Sequence, residues 1–137
     1  MVVAALNRTN EKTQVWLKEL AHELDWDEPD MVFQALRGVL QTLRDRLPLD
    51  ESAQLAGQLP MLIRGCYYEN WSPKKDTEHW NAEAFAARVA LTFPGNLTVD
   101  PYAITRAVFR VVDKHVSPGE VKDVKACLPE TLREMWP

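Results

Sequence analysis

An all-helical fold, one bundle of about eight helices made from two pseudo-twofold-related repeats of about four each, is what this sequence predicts. Three observations predict it. Apolar residues recur three and four positions apart in successive segments, prolines and capping residues stand where those segments begin, and the second half of the chain can be laid over the first with apolar positions meeting.

The first helix is read from Thr13, where Trp16, Leu17, Leu20, Ala21 and Leu24 fall on one face, and it stops before Asp25. Pro29 opens the second, since a proline in a first turn removes only an N–H that would be unpaired there. Its inward stripe is Met31, Val32, Ala35, Leu36, Val39, Leu40 and Leu43. Asp50 is placed to cap a short third helix that ends at Gly57, and Pro60 opens a fourth toward Tyr68. The stretch from Asn70 to Glu78 has no periodicity and reads as the connection between halves.

Asn81 restarts the pattern as an N-cap. Trp80 and Phe85 have the spacing of a hydrophobic staple across it, and Phe85, Val89 and Ala90 face inward. Asp100 before Pro101 starts the next helix, stapled by Val99 and Ile104, with Ile104, Ala107, Val108, Val111 and Val112 as its stripe. Ser117, Pro118 and Glu120 spell a capping box with proline at the first helical position, and a short helix should run to Ala126. Pro129 begins a last turn or two that ends in Met135 and Trp136. No segment alternates apolar and polar residues long enough to be a strand.

Setting Pro29 on Pro101 carries Val32 onto Ile104, Ala35 onto Ala107, Leu36 onto Val108, Val39 onto Val111 and Leu40 onto Val112. With three residues dropped from the second half, Glu51 falls on Glu120, Leu55 on Val124, Leu59 and Pro60 on Leu128 and Pro129, Ile63 on Leu132, Arg64 on Arg133 and Tyr67 on Trp136. Any two amphipathic helices share an apolar pattern, so the repeated Leu-Pro step with arginine four residues beyond the proline carries most of the weight. The organisation predicted is one domain over residues 1–137, with repeats at 13–71 and 81–136 joined by a linker at 72–80. A unit that cannot bury its apolar face alone buries it against its twin, so one shared core should result.

The phrase from Leu59 to Trp71, Leu-Pro-Met-Leu-Ile-Arg-Gly-Cys-Tyr-Tyr-Glu-Asn-Trp, and the later Leu128-Pro129-Glu130-Thr131-Leu132-Arg133 resemble the bacterial family called domain of unknown function 2267. The resemblance runs from about Thr13 to Trp136. It implies an all-helical fold and a bacterial cytoplasmic setting, and it brings no catalytic or binding residue to carry over.

Sixteen basic and 20 acidic residues, a formal charge of −4, supply no cationic footprint for phosphate backbones, so nucleic acid is not an expected partner. The apolar run Val2 to Leu6 is too brief for a signal peptide or a membrane span, so a soluble, cytoplasmic protein is expected. Cys66 and Cys127 make no disulfide framework and read as reduced, buried residues. Neither has a histidine signature that would activate it as a nucleophile. Five glycines, none clustered, leave no phosphate loop.

Glu19 and His22 have the Glu-x-x-His spacing by which helical bundles bring a carboxylate and an imidazole to one metal, but one pair is half a site and a solvated surface pair is the plainer reading. No cofactor is expected. His115 aligns with Leu43 on an inward-looking face and reads as a hydrogen-bonded core residue before a ligand or switch. Asp25, Asp27, Glu28 and Asp30 read as charges dressing a helix N-terminus, since they lack the glycine turn and regular ligand series of a calcium loop.

The segment from Cys66 to Trp80 is the most unusual. Tyr67, Tyr68, Trp71 and Trp80 crowd around Lys74 and Lys75, a mixture that suits a protein interface and equally suits a linker locked across its own bundle. The preferred reading is a non-enzymatic helical interaction module that binds a protein partner or a second copy of itself. The alternative is a small-ligand or metal-binding protein with a pocket between the repeats, and a weaker third is an enzyme built around Glu19, His22 and the acidic cluster. A cavity lined by both halves and holding His115 or His22 would favour the alternative, and an exposed aromatic patch the interface.

Overall fold

The structure is a computed structural model that describes residues 1–73, 80–95 and 98–137. Among them the chain forms eight helices and no strand: α1 (Ala4–Leu24), α2 (Pro29–Arg46), α3 (Leu49–Ala56), α4 (Met61–Tyr68), α5 (Ala82–Leu91), α6 (Pro101–His115), α7 (Pro118–Ala126) and α8 (Glu130–Arg133). The fold is all-α, as the periodicity predicts.

Two helices organise it. α2 packs against α1, α4, α5 and α6, and α6 packs against α1, α2 and α5. Ala35, Leu36, Val39, Leu40 and Leu43 of α2 and Ile104, Ala107, Val108, Val111 and Val112 of α6 are buried in one cluster drawn from both halves of the chain. Burying a side chain of this size stabilises by about 1.5–3 kcal/mol, so these stripes are the main reason the short helices around them persist. α3 packs on α7, which ties the halves together a second time.

Helix starts follow local chemistry. The Asp100 carboxylate accepts from the Tyr102 and Ala103 N–H groups at 3.0 and 3.2 Å, and Asn81 Oδ1 accepts from Ala84 N–H at 2.9 Å. Glu28 caps α2, accepting from Asp30 N–H at 3.3 Å. Asp25, the residue after α1, adopts the left-handed conformation with φ 55° and its N–H bonds His22 O at 3.2 Å. The acidic run therefore serves both the end of one helix and the start of the next.

Four local expectations are corrected. α1 begins at Ala4 rather than Thr13, because good helix formers such as Ala4, Ala5, Leu6, Glu11 and Lys12 carry it through turns without an apolar stripe. There its inward positions are Thr9 and Thr13, and Thr9 Oγ1 accepts from Leu62 N–H at 3.0 Å near the start of α4. Asp50 does not cap α3. Pro48 holds that position and Asp50 lies in the first turn, accepting from Glu51 N–H at 2.9 Å.

The capping box at Ser117 is half formed. Ser117 Oγ accepts from Glu120 N–H at 3.3 Å, but the Ser117 N–H goes to Gln58 Oε1 at 2.8 Å, and Gln58 Nε2 donates to Ser117 Oγ at 2.9 Å. A side chain from the other half of the chain takes the role expected of Glu120. His115 is not in the core; it stands partly exposed at the end of α6.

Gly38 marks the closest approach of α2 to the residues after α5. A Cβ built there would lie 2.4 Å from Thr92 Oγ1 and 3.3 Å from Thr92 Cβ, and that hydroxyl is already committed to Val89 O at 2.7 Å. Gly65 in α4 has nothing within 4 Å of the same position. Alanine gains about 0.5–1 kcal/mol over glycine in a helix interior, whereas overpacking costs about 1–3 kcal/mol. Gly65→Ala should therefore raise the denaturant midpoint and Gly38→Ala lower it, measured by chemical unfolding of both variants.

Candidate functional site

Tyr67 is fully buried and donates its hydroxyl to Ser52 O at 3.0 Å. Its ring meets Tyr68 edge-on at 5.3 Å, and Tyr68 lies 5.2 Å from Trp71. Tyr68 and Trp71 are half-buried, so these three rings run as a ladder from the core outward. Asn70 takes φ 56° at the turn after α4, a conformation asparagine tolerates better than most residues. Trp80 stands apart, its ring under the Arg88 guanidinium at 4.5 Å and its carbonyl accepting from Arg46 Nε at 3.2 Å. Lys74 and Lys75 lie outside the described residues.

Arg44 reinforces this segment from below. Almost wholly buried, it donates to the carbonyls of Tyr67 and Glu69 at 2.8 and 2.6 Å and to Asp45 at 2.8 Å, satisfying orphan carbonyls at the end of α4. The aromatic segment is thus tied to the bundle along its described length, and Tyr67 has no surface to offer a partner.

Glu19 does not pair with His22. Its carboxylate crosses from α1 to α6 and meets His115 Nε2 at 2.5 Å, while His22 is exposed. The His115 ring stacks on Trp16 with centroids 4.9 Å apart, and one turn along α1 Glu23 faces Arg110 and Lys114 at 3.6 and 3.7 Å. These carboxylates lace α1 to α6. Among the described residues no group of three or more His, Cys, Asp or Glu side chains is placed to hold a metal ion.

Burial pushes both thiols up, with Glu69 adding to the effect at Cys66 and Glu51 at Cys127. Both cysteines are half-buried rather than buried, and both are free. A raised thiol carries less thiolate at neutral pH, the opposite of what a nucleophile needs.

A groove of about 590 Å³ lies between the first turns of α1 and the α3–α4 junction, with Trp16 and His115 also in its lining. Arg8 and Lys12 lie one turn apart on its α1 wall, and Arg64 lies on its α4 side. None of its lining residues is acidic. Arg8 and Lys12 have no ion-pair or hydrogen-bond partner among the described residues. Arg64 is held in place, Nε donating to Ala56 O and Nη2 to Leu59 O, both at 2.8 Å. Arg133 makes the corresponding reach to Leu128 O at 3.1 Å. Val15 and Met61 of its lining are about half-exposed, as are Leu6 and Leu62 elsewhere on α1 and α4.

Sequence reasoning missed this site. Arg8 and Lys12 precede the point where the apolar stripe becomes visible, and Glu11, three residues after Arg8, disguises them as part of an ordinary mixed-charge helix. His115, expected in the core, is the one residue of the second half that lines it.

The tyrosine ladder generates a stability prediction. Tyr67→Phe removes the bond from its buried hydroxyl to Ser52 O and should cost about 0.5–1.5 kcal/mol, whereas Trp71→Phe at the half-buried end of the ladder should cost less, both read by urea unfolding.

No curated protein matches the chain. No helix among the described residues is long and apolar enough to cross a membrane, and Cys66 and Cys127 form no disulfide. The sequence pattern of the family described as Uncharacterized conserved protein (DUF2267) matches residues 13–135, which takes in α2 to α8 and most of α1, and the chain belongs to that family.

Proposed function

We propose that this protein is a non-enzymatic helical binding module of the bacterial cytoplasm, and that its α1–α4 groove takes a segment of a partner protein rich in carboxylates and apolar side chains. The observation that carries the reading is the set of cations, Arg8, Lys12 and Arg64, around a groove without one acidic lining residue, in a chain whose formal charge is −4. Electrostatic complementarity of this kind selects a partner and speeds encounter. The exposed Leu6, Val15, Met61 and Leu62 on the same two helices extend the surface beyond what a small molecule covers. Free thiols at Cys66 and Cys127 suit a reducing compartment.

A small amphipathic anion is the second reading, favoured because the groove volume lies in the range of small-ligand sites and because both halves of the chain contribute to it. The similar reach of Arg64 to Leu59 O and Arg133 to Leu128 O, at 2.8 and 3.1 Å, supports reading those halves as copies of one unit.

The test is a titration of the labelled protein with a synthetic glutamate- and leucine-rich helix, its lysine counterpart and a medium-chain fatty acid, followed by amide NMR. Shifts confined to α1 and α4 with the acidic peptide, lost in Arg8→Glu/Lys12→Glu, are expected. Saturable binding of the fatty acid with no response to the peptide would favour the second reading. Equal responses to both peptides would sink the electrostatic argument.

A further inference from the structure

Glu51 of α3 and Glu120 of α7 are more than nine-tenths buried, on helices from opposite halves that pack together. Carboxylates are rarely buried without a cation, and among the described residues no cation is hydrogen-bonded to either one. Their side chains lie close enough across the α3–α7 contact for each to act on the other. Glu51 Oε2 and Glu120 Oε2 are both buried with no hydrogen-bond partner among the described residues. Two negative charges in such a place repel at close range, so the pair is stable only with a proton between them, one carboxyl donating to the other carboxylate.

We propose that Glu51 and Glu120 form a proton-dependent latch between the two halves of the chain, closed when they share one proton and loosened when both ionise. The charged and titratable groups around it are Asp50 next to Glu51 on α3, Asp123 on α7, Cys127 at the end of α7 and Arg46 at the end of α2. The charges acting on Glu120 itself, those of Glu51 and Asp123, are both negative and add to the effect of burial, which pushes its carboxyl up to about 8. Arg46 is not among the charges acting on Glu120, and its Nε donates to Trp80 O.

The direction of the effect follows from linkage. The folded chain holds this proton to higher pH than the unfolded chain, where a glutamate releases it near 4.3. The stabilisation is complete below that value, falls as pH rises, and is gone once pH passes about 8. The other tie across the seam, the pair of hydrogen bonds between Gln58 and Ser117, involves no titrating group and persists. The seam therefore loosens at the α3–α7 faces while the Gln58 end stays fixed. This does not depend on what occupies the groove.

The test combines carboxyl carbon NMR of the intact protein with amide hydrogen exchange corrected for intrinsic rate, from pH 5.5 to 9.5. One glutamate should titrate near pH 8, and protection in α3 and α7 should fall by roughly a hundredfold between pH 6 and pH 9, since each unit below the folded value is a factor of ten. Glu120→Gln, which keeps a donor opposite Glu51, should abolish both changes and leave the seam protected at pH 9. The proposal is overturned if every wild-type glutamate titrates below about pH 6 or if protection of α3 and α7 is independent of pH. It is overturned equally if millimolar Ca2+ or Mn2+ shifts the two carboxyl resonances, which would make the pair a cation site.

Discussion

The buried stripe of α2 is the constraint on which the remaining architecture depends. Isolated helices shorter than about 12–15 residues are marginal in water, and α3, α4, α7 and α8 have 8, 8, 9 and 4 residues. Such pieces are held by docking and by their ends. α2 supplies a docking face to α4 directly and reaches α5 on the same core, while α6 continues that face on the other side. Gly38 belongs to this constraint, because only a residue without a Cβ lets Thr92 approach α2 without displacing the threonine hydroxyl from Val89.

Where docking is thin, side chains secure the helix ends. Each Leu-Pro step breaks the chain between two helices, since proline has no N–H to continue the first and is favourable at the start of the second. The carbonyls left behind need donors. Arg64 and Arg133 fold back over their own prolines to supply them, and buried Arg44 does the same for the end of α4. An arginine four residues past a proline is thus a structural device. In Arg64 the same device fixes a guanidinium at the edge of a groove, so fold and candidate site share one residue.

Local signals made most of the fold legible. Pro29, Pro101 and Asn81 mark helix starts through interactions spanning three residues or fewer, and the stripes of α2 and α6 are simple periodicities. Two of the errors share a cause: a distant partner replaces the local one. Glu120 was expected to complete a box around Ser117, but Gln58, 59 residues away, bonds there, and Glu120 turns to Glu51. Glu19 was paired with His22 by spacing, yet it reaches His115, 96 residues on. The first turns of α1 face inward with Thr9 and Thr13, so no apolar periodicity announces them, and the groove they form depends on how α4 docks. The alignment that sets Glu51 on Glu120 pairs two residues that α3 and α7 bring together.

The charges on α1 explain why the groove stands out electrostatically. In its second half Glu23 is matched by Arg110 and Lys114 of α6, and Glu19 is hydrogen-bonded to His115, so both carboxylates of this seam have partners. In its first half Arg8 and Lys12 have no such partners, and the first turn holds no acid to complement the macrodipole. That arrangement contributes little to helix stability. Placing a carboxylate at either position would serve the fold better by pairing with the other cation one turn away. Two cations without partners among the described residues stand beside an arginine fixed by its own backbone, and that contrast with the aromatic ladder is why the proposed binding surface is set in the groove.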